Sequence, residues 1–247
     1  MENLDLNVVL ITSVVGYLIG AVSSARIVTR MFGKGKTAAE STELSLNGSE
    51  QKMVLKTVSA TSVSVHIGSK YGFLTYVLDV VKVFVPIMVV KTIYADQLYF
   101  LFTAFAALVG HVWPVYYRFR GGRGISVIYG TLFAIDWIGV FATSIPGMLI
   151  GLVVLRDMLS AYFLGVLFVI PWLWFRTHNV HYLYFAIAAN VVFTIAMIPE
   201  IKRWIVVRRD SEWGDPTKTM ELSGMGRGLL KMGRKLGLIK NSENEHT

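Results

Sequence analysis

The stretch ISVIYGTLFAIDWIGVFATSIPGMLIGLVVL, residues 125–155, is apolar over almost its whole length. A helix of about 20 mostly apolar residues crosses the core of a bilayer, so this stretch is longer than one untilted helix requires. A turn or break fits most naturally at Pro146-Gly147, which lies inside the stretch. The sequence therefore predicts two short or tilted membrane helices on either side of Pro146.

Further apolar segments follow the same pattern, at about Leu6–Val28, Gly72–Val90, Leu98–Tyr117, Met158–Phe175 and His181–Val207. The 247 residues are 54% hydrophobic and 16% charged, whereas soluble domains carry about 25% charged residues. This composition excludes disordered, coiled-coil and collagen-like chains and argues against an ordinary soluble domain. The chain has no cysteine, which excludes a disulfide framework, a thiolate nucleophile and a Cys-ligated zinc site.

Basic residues predict the orientation of the chain in the membrane. Ten Lys and Arg follow Ile201, and six lie between Arg30 and Lys70. Such an excess marks cytoplasmic loops, and the three arginines of 118–124 place that loop on the same side. The loop and the tail share a side only if an even number of spans separates them. Two helices within 125–155 give four spans after the loop, which meets this condition, whereas one helix gives three. We therefore expect an all-α polytopic membrane protein of about seven transmembrane helices, with its N-terminus outside and its C-terminus inside.

The domain organisation is predicted from two polar stretches. Residues 1–207 form a multi-span membrane domain, in which 33–56 is rich in Ser, Thr, Gly, Lys and Glu and is expected to be a flexible cytoplasmic loop. Residues 208–247 form a basic cytoplasmic tail, either an interfacial amphipathic helix or a solvated segment. The net charge of +8 points to anionic membrane lipids or an anionic substrate, and we expect no nucleic-acid partner.

The sharpest local signal is GHVWP at Gly110–Pro114, followed by RFRGGRG at Arg118–Gly124. Glycines allow successive backbone N–H groups to approach an anion, and the helix that follows adds its positive N-terminal end. Arg123 can bind phosphate oxygens through two nitrogens, and Arg118 and Arg120 raise the local potential. The loop is thus a candidate phosphate site; the alternative is a basic cytoplasmic loop with glycines for a tight turn.

Three other groups of residues are candidates for chemistry. Asp79 and Lys82 are three residues apart and share a helix face, where they either form a structural ion pair or contact substrate. Thr61 and Ser62 offer hydroxyls just before the second apolar segment, where they could also serve as helix caps. His111 precedes the basic loop and is either a catalytic group or a hydrogen-bonding residue at a helix end.

In this order, these stretches resemble the PlsY family, the bacterial membrane glycerol-3-phosphate acyltransferases that use acyl phosphate as donor. Four segments carry the resemblance: GAVSS at Gly20–Ser24, the stretch Ser59–Gly72, LDVVK at Leu78–Lys82, and GHVWP through GGRG at Gly110–Gly124. The resemblance covers about residues 7–207 and includes the expected positions of the cytoplasmic loops.

The resemblance implies transfer of an acyl group from acyl phosphate to the 1-hydroxyl of glycerol 3-phosphate, giving lysophosphatidate for phospholipid synthesis. Acyl phosphate is already activated, so no metal or other cofactor is expected. The location implied is a bacterial-type cell (inner) membrane, multi-pass, with the active face cytoplasmic. The residues implied are Gly121, Gly122, Arg123, Gly124, Arg118 and Arg120 for substrate phosphate, Thr61, Ser62 and His111 for catalysis, and Asp79 and Lys82 for support.

The sequence also departs from the family pattern. Ser62 stands where the family has Asn, and Val65 stands where it has Arg. In the family's third motif, Met197 occupies the His position and Glu200 the Asn position. These departures keep a second hypothesis open, a non-catalytic paralogue that binds lipid or acyl phosphate. A transporter is a third hypothesis. The intramembrane charges permit it, but the absence of a strong internal repeat in the sequence argues against it.

Overall fold

The structure is a computed structural model that describes residues 4–33, 42–45, 52–55, 58–155 and 157–209. Within these residues the regular elements are helices and one pair of short strands. The helices are α1 (Leu6–Gly20), α2 (Ser24–Phe32), α3 (Ala60–His66), α4 (Ser69–Ile93), α5 (Tyr99–Val112), α6 (Ile125–Ile135), α7 (Trp137–Met148), α8 (Met158–Leu167), α9 (Val169–Thr177) and α10 (Val180–Arg209). The strands β1 (Thr42–Ser45) and β2 (Lys52–Leu55) pair antiparallel.

Six helical stretches of the described chain are long and apolar enough to cross a membrane. They are Leu6–Phe32, Ser69–Ile93, Tyr99–Tyr117, Trp137–Val154, Leu159–Thr177 and Val180–Lys202. Helix α6 has 11 residues, which rise only about 16 Å in a bilayer core of about 30 Å. The prediction of an all-α polytopic membrane protein is confirmed. The seven-span count and the orientation remain predictions.

The break within 125–155 lies at Asp136, so the prediction of a break at Pro146 is wrong. Asp136 has an extended backbone between α6 and α7. Its carboxylate accepts a hydrogen bond from Trp172 Nε1 at 2.9 Å and lies 3.3 Å from Arg176 Nε. Lys91 donates to the carbonyl of Ala134 at 3.0 Å, which satisfies one free carbonyl at the end of α6. These polar contacts make the interruption stable inside an apolar environment.

Pro146 is accommodated inside α7 instead. A proline removes a single backbone N–H from the helix, and its ring crowds the carbonyl four residues earlier, so a helix can contain one at the cost of a hydrogen bond and a kink. After α7 the chain continues into a π-helical segment at Leu149–Val154.

The first predicted segment is also interrupted, at residues 21–23, where α1 ends and α2 begins. The hydroxyl of Ser23 accepts a hydrogen bond from the backbone N–H of Arg26 and caps α2. Helix α2 buries Ala25 and Val28 against Val63 of α3 and exposes Arg30. It is therefore a separate short helix and not a continuation of α1, and its exposed face carries Arg30 beside the apolar Ile27, Met31 and Phe32.

Helix α1 packs closely along α5 through glycines. A β-carbon on Gly20 would collide with the backbone of Ala107, and one on Gly110 would collide with the carbonyl of Tyr17. Lipid tails give little hydrophobic drive for helices to associate, so close backbone approach through small residues stabilises such pairs. This packing fixes the end of α5, where His111 lies, against the junction between α1 and α2.

Two predicted features fall largely outside the described residues. Within 33–56 the structure describes Gly33 and the two strands, of which β1 lies near α3 and β2 near α10. The tail beyond Arg209 lies outside the described residues, so the predicted interfacial helix there remains a prediction.

Candidate active site

The glycine loop folds back onto the end of α5. The chain leaves α5 through a short 3-10 turn at Val115–Tyr117, and Arg118 and Phe119 then adopt left-handed backbone conformations. The N–H of Gly122 donates a hydrogen bond to the carbonyl of His111 at 3.1 Å. This return brings the loop over the last turn of α5 and starts α6 from Gly124.

Glycine is required at two positions of this loop because the backbones approach so closely. A β-carbon on Gly121 would collide with the carbonyl of His111, and one on Gly122 would collide with the imidazole Nε2 of His111. Gly124 caps α6 with φ of 91°, a left-handed value that favours glycine. The GGRG pattern therefore has a structural reason in addition to any contact with a ligand.

A buried polar cluster lies beneath the loop. Lys82 Nζ is 2.7 Å from Asp79 Oδ1, and it also donates to the carbonyl of Val22 at 2.7 Å. The other carboxylate oxygen of Asp79 accepts a hydrogen bond from Ser126 Oγ at 3.3 Å, and Ser24 also hydrogen-bonds this carboxylate. The pairing predicted from the three-residue spacing is present, and the cluster joins α2, α4, α6 and the junction between α1 and α2.

The cluster fixes how His111 presents its two ring nitrogens. Nδ1 of His111 lies 3.1 Å from Nζ of Lys82. An ammonium group only donates, so Nδ1 accepts and the ring proton of the neutral imidazole belongs on Nε2. This assignment follows from the contacts and not from an observed hydrogen. Nε2 faces Gly122, which places a donor at the underside of the glycine loop.

A small cavity connects these elements. Its wall contains the junction between α1 and α2, the polar cluster and the glycine loop: Gly20, Ala21, Val22, Ser23, Ser24, Ala25, Val58, Asp79, His111, Pro114, Gly121 and Gly122. The start of α2 lines this cavity, and the glycine loop beside it leads directly into α6. Helix N-termini carry partial positive charge, which favours an anion nearby, although Ser23 already accepts from the N–H of Arg26 at the start of α2.

Helix α2 is tied to the loop by Arg26. Its guanidinium donates to the carbonyl of Arg120 at 3.1 Å and lies 4.2 Å from the centre of the Tyr117 ring. Arg118 and Arg120 themselves are exposed. They therefore contribute positive potential at the mouth of the site and not a buried contact.

Arg123 differs from the other arginines of the loop because it is buried. Its Nε lies 3.0 Å from Oε1 of Glu200 on α10, and the two side chains are 9% and 4% exposed. Tyr162 on α8 is close enough to interact electrostatically with both. The loop, α8 and α10 thus meet around one ion pair.

Thr61 and Ser62 lie on α3, beside this assembly. The hydroxyl of Ser62 accepts a hydrogen bond from the N–H of Ser59 at 3.0 Å and donates to the carbonyl of Ser59 at 2.8 Å. This is the capping arrangement that the sequence left open as an alternative. Thr61 is half-buried, and neither residue belongs to the described wall of the cavity.

Sequence reasoning missed three functional candidates, Ser24, Ser126 and Glu200. Ser24 stood in a segment that carried the family resemblance, so its signal was available. Ser126 lies two residues after Gly124, in the first turn of α6. A side chain in that position could have been expected near the glycine loop. Glu200 had a signal too, because an acidic residue near the end of an apolar segment requires a partner.

The family model described as glycerol-3-phosphate acyltransferase matches residues 10–206. A glycerol-3-phosphate acyltransferase of Legionella pneumophila (strain Corby) is 36% identical over 124 residues, 50% of this chain and 40% of that protein. One from Aquifex aeolicus (strain VF5) is 30% identical over 136 residues, 51% of this chain and 64% of that protein. The matches thus span about half of this chain, and 40% and 64% of the two relatives.

A solved structure shares the fold. It is the crystal structure of PlsY (YgiH), an integral membrane glycerol 3-phosphate acyltransferase, in its glycerol 3-phosphate form. The TM-score is 0.67 at 23% identity, covering 81% of this chain and 93% of that chain. The family model covers most of the sequence, including the glycine loop, the polar cluster and Glu200. The chain therefore belongs to the glycerol-3-phosphate acyltransferase family.

Proposed function

We propose that this protein transfers an acyl group from acyl phosphate to the 1-hydroxyl of glycerol 3-phosphate, giving lysophosphatidate. Two observations support the proposal together. The family and the curated relatives carry the name glycerol-3-phosphate acyltransferase, and the solved neighbour was crystallised in glycerol 3-phosphate and lysophosphatidic acid forms. The observation on this chain that carries it is the glycine loop closed over His111, with Arg123 buried beside it.

Phosphate binding is assigned to the loop. Gly121 and Gly124 can provide backbone N–H groups, and Gly122, whose N–H donates to the carbonyl of His111, adds no side chain to obstruct an approaching oxygen. Arg123 adds a guanidinium whose planar fork matches phosphate oxygens. The exposed Arg118 and Arg120 attract the anion from solution, because a basic rim raises the local concentration of an anionic substrate.

The chemistry proposed is a direct acyl transfer. The 1-hydroxyl oxygen of glycerol 3-phosphate attacks the acyl carbon, and a C–O bond forms there. The bond between that carbon and the phosphate oxygen breaks, inorganic phosphate leaves, and the hydroxyl proton goes to the departing phosphate. The chain must therefore bind and orient two phosphate-bearing molecules and stabilise negative charge as it develops.

Each remaining candidate has a role in this scheme. His111 directs its Nε2 proton toward the loop and can donate to a phosphate or developing oxyanion. Asp79 and Lys82 hold the imidazole in this tautomer through the contact of Lys82 with Nδ1. Thr61 and Ser62 are proposed to act from α3, although the Ser62 hydroxyl also caps that helix.

The membrane supplies the setting for the acyl chain. The turn after α5 exposes Val115, Tyr116 and Phe119 beside the glycine loop. Apolar and aromatic side chains in this position suit the boundary between headgroups and acyl chains. We propose that the acyl chain lies in an apolar groove between the helices, with the active face toward the cytoplasm of a bacterial-type inner membrane. Anionic lipids would bind the basic surface around this face.

The decisive experiment is acyl transfer by the purified protein in bicelles. Palmitoyl phosphate and radiolabelled glycerol 3-phosphate are supplied, with palmitoyl-CoA replacing the acyl phosphate in a parallel reaction. We expect lysophosphatidate from acyl phosphate only, and loss of product in Arg123→Ala. Arg176→Ala is the matched control, because Arg176 pairs with Asp136 at the other end of α6. Size-exclusion profiles verify that both variants remain folded.

Other results would assign a different function. Binding of glycerol 3-phosphate or acyl phosphate without product would move the assignment to a non-catalytic binding protein. Product formed equally well by Arg123→Ala would remove the glycine-loop arginine from the reaction. Flux of glycerol 3-phosphate into sealed vesicles, without acyl transfer, would instead identify a transporter.

A further inference from the structure

The ion pair between Arg123 and Glu200 joins two parts of the chain that are distant in sequence. Arg123 lies in the glycine loop, and Glu200 lies on α10 near the end of the membrane domain. The separation is 3.0 Å between Nε and Oε1, and both side chains are more than nine-tenths buried. Such a contact forms only when the fold holds α10 within hydrogen-bonding distance of the loop.

Stability alone does not explain this pair. Removing two charges from water is costly, and their mutual attraction often only offsets that cost. Apolar residues of similar volume would serve the packing of α10 at least as well. What a carboxylate adds is direction, because a guanidinium is planar and its Nε edge and Nη edge face different ways.

The contact occupies one edge of the guanidinium and leaves the other. Glu200 contacts Nε of Arg123, which leaves the terminal Nη nitrogens as the groups that could bind a ligand. An arginine has many rotamers, and anchoring Nε reduces the number of orientations that the Nη groups sample. With Nε engaged by Glu200, the two Nη groups are the pair that can still bind two oxygens of a phosphate.

We propose that Glu200 is a positioning residue that holds Arg123 so that its terminal nitrogens face a phosphate monoester in the glycine loop. This inference rests on the proposed function for the identity of the phosphate compound. It goes further in naming a residue outside the loop that sets the geometry of phosphate binding. The carboxylate of Glu200 would also have a second effect. Its negative charge lowers the positive potential of Arg123, and so weakens the attraction of this arginine for a phosphate dianion.

These two effects have opposite signs, which makes them separable. Glu200→Gln keeps an oxygen that can accept from Nε and removes the negative charge, so phosphate should bind as tightly as in the wild type or more tightly. Glu200→Ala removes the anchor, so the guanidinium loses its orientation and phosphate should bind more weakly. If Glu200 only packs α10, both variants should lose stability, and phosphate should not bind more weakly to Glu200→Ala than to Glu200→Gln.

The experiment measures kcat and KM for glycerol 3-phosphate, and Kd for glycerol 3-phosphate and inorganic phosphate by calorimetry in detergent. We expect Glu200→Ala to raise KM and Kd by about 10-fold or more, as misplacement of a positioning group does, with a smaller change in kcat. Glu200→Gln should leave KM unchanged or lower. Thermal unfolding of each variant reports any general loss of structure.

A double-mutant cycle tests whether Glu200 acts through Arg123. Lysine has no Nε edge for Glu200 to orient, so in an Arg123→Lys background Glu200→Ala should change Kd far less than in the wild type. An equal effect in both backgrounds, or no effect of Glu200→Ala in the wild type, would overturn the proposal. If Glu200→Ala does not purify as a folded protein, Glu200→Asp replaces it, because it keeps the charge and shortens the reach; unchanged Kd in that variant would also overturn it.

The readouts separate this inference from the proposed function. A wild-type protein that binds phosphate but makes no lysophosphatidate, and whose Glu200→Ala variant binds phosphate weakly, would retain the positioning role and lose the acyltransferase function. A wild-type protein that is active and indifferent to Glu200→Ala would retain the function and lose the positioning role.

Discussion

The imidazole of His111 lies directly beneath Gly122, and the N–H of Gly122 donates to the carbonyl of His111 at 3.1 Å. His111, in the last turn of α5, is therefore held by the loop on one side and by Lys82 on the other. His111 cannot move toward Lys82 to make room, because its Nδ1 is already in contact with the ammonium group. Any group added to Gly122 must shift the loop or the imidazole.

We expect Gly122→Ala to abolish phosphate binding while leaving the protein folded. The new methyl group would overlap His111 Nε2, and relief of such overpacking costs about 1–3 kcal/mol. Calorimetry with glycerol 3-phosphate and thermal unfolding in detergent measure both effects. The double variant His111→Ala/Gly122→Ala is the control, because removing the imidazole provides space for the methyl group. Its stability loss should be smaller than the sum of the two single losses; strict additivity would show that the two residues do not meet.

The ion pair of Asp79 and Lys82 should stabilise the fold as well as orient His111. Asp79→Asn leaves the Lys82 ammonium buried without its carboxylate, which for a buried pair costs about 3–5 kcal/mol. We therefore expect a large drop in the midpoint of thermal unfolding in detergent. Lys70→Gln is the matched control, because Lys70 is exposed at the start of the same helix, and it should be nearly neutral.

A second variant separates stability from orientation in this cluster. Asp79→Leu/Lys82→Leu replaces both charges by apolar groups and should recover much of the stability that Asp79→Asn loses. It should still be inactive in acyl transfer, because nothing then holds the proton of His111 on Nε2. Full activity in this double variant would show that the cluster is purely structural.

The sequence predicted local relationships well and long-range ones poorly. The pairing of Asp79 with Lys82 follows from helix periodicity, and the structure contains it at 2.7 Å. The break at Asp136 was missed because its stability comes from Trp172 and Arg176 on another helix, which no local pattern reveals. A proline looked like the stronger breaker, yet Pro146 lies inside α7.

The site shows the same limit. The glycine loop was recognisable because the glycines that its geometry requires lie close together in the sequence. Glu200 was recorded only as a departure from the family pattern, since the sequence cannot show that α10 returns to the loop. The role of Ser62 as a cap was an open alternative, and its hydrogen bonds to Ser59 are present.

The exposed arginines of the loop should affect substrate capture and not the chemical step. Arg118 and Arg120 face solvent, where ionic screening weakens their attraction for a phosphate dianion. We expect Arg118→Gln/Arg120→Gln to raise KM for glycerol 3-phosphate by about 2–5-fold at low salt, with kcat unchanged and the difference reduced at high salt. Steady-state kinetics at several salt concentrations measure this. A fall in kcat that salt does not alter would mean that one of these arginines contacts the reacting groups.

The predicted orientation can be tested directly because the chain has no cysteine. Lys70 and Asp96 are exposed near opposite ends of α4, and Val85 is exposed in the middle of this helix. In intact cells an impermeant maleimide should label Asp96→Cys but not Lys70→Cys, which should become reactive only after permeabilisation. Val85→Cys should stay unlabelled in both cases, since a thiol in the hydrocarbon core ionises poorly and meets no polar reagent. Labelling of Lys70→Cys alone in intact cells would invert the topology and would place the glycine loop on the outer face, where a cytoplasmic phosphate compound could not reach it.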